Sequence, residues 1–65
     1  MFYNFKLLSE FMDRNGMTEK EFCKYCRISM VMLKRIYENK RVKSETLYKI
    51  WEATLICMEE FVVNV

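Results

Sequence analysis

The chain has 65 residues, enough for one domain spanning residues 1–65 and no second. It is 52% hydrophobic and 15% aromatic, with no proline and a single glycine, a composition rich in core material and poor in helix breakers. Charge is weak at +2, histidine is absent and the three cysteines are odd in number, which argues against a disulfide scaffold, a zinc site and most acid–base enzymes.

Residues 4–15 read as a first helix, with Leu7, Leu8, Phe11 and Met12 at helical spacing, Phe5 a further inward candidate and Asn4 a cap. Asn15 and Gly16 stop it, because both tolerate left-handed backbone. Met17 then falls at a hydrophobic-staple position opposite Phe22. Thr18, with Glu21 three residues on, makes a capping box for a second helix over about 19–26. Phe22, Cys23 and Cys26 form its inner stripe, and Lys20, Glu21, Lys24 and Tyr25 lie outside or at the edge. The chain breaks around Arg27, Ile28 buries the turn and Ser29 caps a third helix over about 30–38. That helix carries Leu33 and Ile36 inward and Lys34 and Arg35 outward, and Asn39 can end it in the left-handed conformation. Residues 16–38 thus have the shape of a helix-turn-helix that presents its second helix. A basic loop follows over 39–43. Ser44 caps a fourth helix, with Glu45 near its positive end and Leu47, Ile50, Trp51 and Ala53 as its stripe. After a break at Leu55 and Ile56, residues 58–62 make a last short helix with Phe61 inward. Phe61, Val62 and Val63 are the only strand-like run, and nothing alternates long enough to argue a sheet. The fold class is therefore all-α, with a core expected to give roughly 3–5 kcal/mol.

No segment approaches ~20 apolar residues, so no membrane span is expected. Met1 is followed by aromatics and not by a long apolar run, so no signal peptide is read, and free thiols in a reducing, cytoplasmic compartment fit. Cys23 and Cys26 form a C-x-x-C, but they sit inside a helix beside Phe22 and only Cys57 could join them as a ligand. Buried structural thiols are the better reading, and no cofactor is expected. Without histidine, a Gly-rich phosphate loop or a supported serine–base pair, no enzyme is expected.

Two surface features remain. Over residues 34–43, Lys34, Arg35, Lys40, Arg41 and Lys43 face Glu38 alone, which suits an anionic partner or, more plainly, a solvated loop. Met30, Val31 and Met32 follow the Ser29 cap. They cannot hydrogen-bond to bases, but they can touch thymine methyls, pack on a protein or fill the core edge.

The ordered set of caps and core positions carries a resemblance. GMTEKEFC, then ISMVMLKRI, SETLYKI and MEEF are similar to the Cro and lambda-repressor-like helix-turn-helix domains of the xenobiotic-response-element type, over roughly residues 5–62. The resemblance implies a compact five-helix domain, DNA-binding and often dimeric, of the kind found in bacterial and phage transcription regulators and in antitoxins. By position, Thr18 would cap the second helix and offer backbone to phosphate, and Glu19 lies where a DNA-contacting Gln is common. Ser29, Met30 and Val31 fall at the base-reading start of the third helix, with Lys34 and Arg35 further along its exposed side. Asn39, Lys40 and Arg41 fall where loop groups touch phosphates. Several positions depart from the pattern. Arg27 and Asn39 stand where Gly is common, at a cost of order 1 kcal/mol for Arg27. Met12 and Tyr37 replace an ion pair, so a Met12–Tyr37 contact is expected. Trp51 replaces a small residue, as extra core or as an interface anchor, and Cys57 stands where a Ser cap would be.

The expected function is double-stranded DNA binding by a small regulator or repressor. Arg35 would reach a guanine, and Lys34, Lys40, Arg41 and Lys43 would hold phosphates. A homodimer is expected, with 61–65 or the face around Trp51 as its contact. The alternative is a protein-interaction module on the same fold (an antitoxin, an anti-repressor or a mobile-element adaptor) using Met30, Val31 or Trp51.

Overall fold

The computed structural model describes residues 2–63. Five helices account for 66% of the described residues: α1 (Phe5–Arg14), α2 (Glu19–Cys26), α3 (Met30–Tyr37), α4 (Ser44–Thr54) and α5 (Met58–Phe61). Two short strands close the ends, β1 (Phe2–Tyr3) and β2 (Val62–Val63), paired antiparallel with Phe2 opposite Val63 and Tyr3 opposite Val62. The molecule is mostly helical, but its ends carry a ladder that the lack of alternation did not announce.

One core fills the centre. Leu8 and Met12 of α1, Phe22, Cys23 and Cys26 of α2, Leu33 and Ile36 of α3, Ile50 of α4 and Phe61 of α5 are buried together with Tyr3. Helix α2 packs on both α3 and α4. Phe11 covers the α1–α2 seam edge-on to Phe22, with ring centroids 5.9 Å apart. Full burial of such side chains stabilises by about 1.5–3 kcal/mol each, which is how so short a chain offsets its conformational entropy.

Four helix ends use left-handed residues. Gly16, Arg27 and Asn39 have φ of 61°, 61° and 59°. Each is followed by a residue whose N–H reaches back to the last turn: Met17 to Met12 at 2.9 Å, Ile28 to Cys23 at 3.0 Å and Lys40 to Arg35 at 2.8 Å. These are Schellman endings, and they turn the chain sharply with few residues. The fourth, Leu55 at φ 58°, closes α4 with one bond from its N–H to the Trp51 carbonyl at 2.7 Å, which gives the expected break at Leu55 its form.

Three expectations need correction. Asn4 and Ser44 do not cap by side chain: Asn4 makes no such bond, and Ser44 is already helical with Lys43 at the N-cap. Trp51 does not join the inner stripe of α4. Thr46 is buried with Ile50, while Trp51 points outward. Phe61 is fully buried and is unavailable as a dimer contact, and Asn64 and Val65 of that candidate segment lie outside the described residues. Cys57, standing where a Ser cap would be, makes no side-chain cap bond, and α5 holds on through the Cys57 carbonyl.

Tyr3 is buried with its ring 5.7 Å from Phe61, yet its hydroxyl has no hydrogen-bond partner among the described residues. An unpaired buried hydroxyl costs about 1–3 kcal/mol of desolvation. Tyr3→Phe should therefore leave stability unchanged or raise it by up to ~1 kcal/mol in chemical denaturation.

Candidate nucleic-acid interface

The geometry starts at Thr18. Its Oγ1 accepts the Glu21 N–H at 3.2 Å, while Glu21 Oε1 accepts the Thr18 N–H at 3.0 Å. The Thr18 backbone N–H first, and the Thr18 hydroxyl second, hold the Glu21 carboxyl below its usual range. The sign follows: this contribution is present above the ordinary carboxylate pKa and is lost as pH falls through the lowered one. Thr18→Ala should cost about 1 kcal/mol at neutral pH, and less in acid, by thermal melting.

Ser29 starts α3 in the same way, its Oγ accepting the Met32 N–H at 3.2 Å. With Arg27 in the left-handed turn, α2 and α3 are joined by three residues, and the Thr18 and Ser29 side-chain caps fix where α2 and α3 each begin. A sulfur contact adds to the joint. Cys23 Sγ lies 3.4 Å from Met30 Sδ and 3.8 Å from the Ser29 carbonyl oxygen. Burial pushes the Cys23 thiol up, with Glu19 adding to the effect. Burial and then Cys23 push Cys26 up to about 12. Both thiols thus stay protonated and inert, whereas Cys57 is exposed. A thiol reagent at neutral pH should modify one cysteine per native chain quickly and all three after unfolding. The same raised thiols make stability constant below their ordinary pKa of 9.0 and falling as pH rises from there through about 12.

Helix α3 presents Met30, Val31 and Lys34 outward, and its first turn is apolar at the surface. These three meet Thr18 and Glu19 around an open cleft of about 1010 Å³. The far wall comes from α1, through Phe5, Met12 and Asp13. Helical spacing alone places this wall, since Phe5 and Met12, seven residues apart, share a face of one helix. Tyr37 lines the same cleft as Met12, and its ring stands edge-on to Phe5 at 5.0 Å.

The remaining candidates belong to the loop after α3. Arg35 is half-buried, and its guanidinium grips the Arg41 carbonyl with Nε at 3.1 Å and Nη2 at 2.6 Å. Two donors in one plane on a carbonyl hold the loop against the helix. Asn39 turns inward in its chemistry: its Oδ1 accepts the Tyr3 N–H at 2.9 Å, tying β1 to the end of α3. Lys40 pairs with Glu38 at 3.6 Å, an exposed contact worth little. Lys34, Arg41 and Lys43 are exposed and make no ion pair among the described residues. The structure therefore gathers Thr18, Glu19, Met30, Val31 and Lys34 around one cleft. It places Lys40, Arg41 and Lys43 on a clamped loop, and it gives Ser29, Arg35 and Asn39 structural bonds.

No family model matches the chain, and neither a curated protein nor a solved structure matches it. Among the described residues no helix is long and apolar enough to cross a membrane, and no group of three His, Cys, Asp or Glu could hold a metal ion.

Proposed function

We propose that this chain is a DNA-binding regulator of the helix-turn-helix type, Cro- or repressor-like, and not an enzyme. The observation that carries the reading is the α2–turn–α3 unit: two short helices with side-chain caps, a three-residue joint that turns at left-handed Arg27, and an α3 with one exposed face followed by a basic loop. In this reading α3 enters the major groove. Met30 and Val31 contact thymine methyls, and Lys34, Lys40, Arg41 and Lys43 take phosphates. Arg35 shapes the loop, in place of the guanine contact that its position suggested, because its Nε and one Nη already hold Arg41. Asn39 likewise supports the loop from inside.

The test is a titration of labelled random-sequence duplex at several salt concentrations. Four cations on phosphates give a slope of about −3.6 in log K against log salt. Absence of binding at low salt would overturn the reading. A second reading, a protein-interaction module, is favoured by the apolar cleft between α1 and α3, whose rim bears Asp13 and Glu19, groups that phosphate repels. A partner seated there would cover Met30, Val31 and Lys34 and would exclude DNA.

A further inference from the structure

Phe5, at the start of α1, stands against Tyr37, at the end of α3, so the two helices line their shared cleft in opposite directions. Both present the same spacing to it. Phe5, Ser9 and Met12 line one wall, and Met30, Lys34 and Tyr37 line the other, each set at steps of four and three. Such a set is one stripe of a helix, two turns or ~10 Å long. Two stripes facing one gap are what a third helix needs to pack between them. Met30 and Tyr37 are 49% and 67% exposed, so the stripe of α3 lies uncovered. Ser9 is the smallest of the six and leaves the middle of the gap open.

We infer that this cleft takes an amphipathic helix of a partner protein, apolar along one stripe and cationic at the end that lies over Asp13 and Glu19. The inference rests on the second reading above and names the partner's chemistry. Backbone hydrogen bonding selects a helix. The walls are helices whose backbone groups bond internally, so an extended segment laid between them would leave its own N–H and C=O groups unmet, whereas a helix satisfies its own. Charge selects the end. Asp13 and Glu19 are exposed at the α2 end of the cleft, and neither is in an ion pair among the described residues. Their chain neighbours Arg14 and Lys20 do not line the cleft. Lys34 stands one turn beyond Met30 on the facing wall, so cations of the occupant are favoured over the acidic end and not along the middle. Met12, Met17 and Met30 supply much of the apolar lining, and unbranched thioethers adapt to side chains of different shape. The occupant's stripe is therefore set by spacing and size more than by one fixed sequence.

The probe is an alanine-based helical peptide of about four turns, with leucines at steps of four and three and two arginines in one terminal turn. Its twin carries glutamates in place of the arginines. Amide chemical shifts of the full chain are followed as each peptide is added. The arginine peptide should bind with a Kd between about 10 μM and 1 mM and move the amides of 9–13 and 30–37. The twin should bind about fivefold more weakly at low salt, because exposed ion pairs contribute little each, and the difference should fade as salt rises. Asp13→Lys combined with Glu19→Lys should invert the preference. Ser9→Tyr, which fills the middle of the gap, should weaken both peptides by roughly tenfold. Circular dichroism shows that each variant is folded. No shift with either peptide at about 1 mM would overturn the inference and the second reading together. Equal binding of the two peptides, or a preference for the twin, would overturn the cationic partner and leave the cleft as a docking site. Shifts confined to α4 would overturn the site.

Discussion

Phe61→Ala should leave the chain largely unfolded at 25 °C, with no cooperative thermal transition above it. Phe61 is fully buried against Tyr3. Its carbonyl oxygen accepts the Asn4 N–H at 2.8 Å, so the same residue fixes the start of the chain at α1. Truncating a buried Phe costs about 3–5 kcal/mol, which matches the roughly 3–5 kcal/mol a single core of this size supplies. The loss also propagates. Helix α5 has four residues and no side-chain cap, so little besides Phe61 holds it in place, and β2 follows directly. Circular dichroism at 222 nm during heating measures this. A melting point within a few degrees of wild type would mean that the terminal ladder and α5 are dispensable.

The second large effect is on binding. The variant Lys40→Ala, Arg41→Ala, Lys43→Ala should bind duplex DNA at least 100-fold more weakly at low salt, with a log–log salt slope about three units shallower. Truncating the Arg41 side chain leaves its carbonyl, and hence the Arg35 clamp, in place, so the loop geometry survives while its charge does not. Fluorescence anisotropy gives both affinity and slope. Unchanged affinity would remove the loop from the interface and shift weight to the apolar cleft.

In the DNA-binding reading, the Arg35 clamp limits how bases can be read. A guanidinium anchored on a carbonyl is pre-organised but has fewer donors left for a base edge. Specificity would then rest on methyl contacts from Met30 and Val31, which discriminate more weakly than bidentate hydrogen bonds.

Much of this architecture was legible in the sequence because it is local. Thr18 with Glu21, and Ser29, are caps that act within three residues, and they located α2 and α3. Buried Phe22, Cys23, Leu33 and Ile36 followed from helical spacing. Long-range features were hidden. The bond between Asn39 and Tyr3 spans 36 positions, and no local pattern announces it. The pairing of 2–3 with 62–63 is too short to show alternation. Helix α4 misled for another reason: apolar residues on two faces fit two orientations, and only packing against α2 decided that Thr46 goes in and Trp51 out. At the candidate interface, residue types pointed to Lys34 and the loop cations. The Arg35 clamp depends on a backbone carbonyl six residues on, which side-chain chemistry cannot reveal.

The most direct test of the account is a map of amide chemical-shift changes in the folded chain as duplex DNA is added at low salt. The account predicts changes at Thr18 and Glu19, over 29–34 and over 40–43, fading as salt rises, with Trp51 and Leu55 unmoved. Changes confined to α4, or none at all, would contradict it.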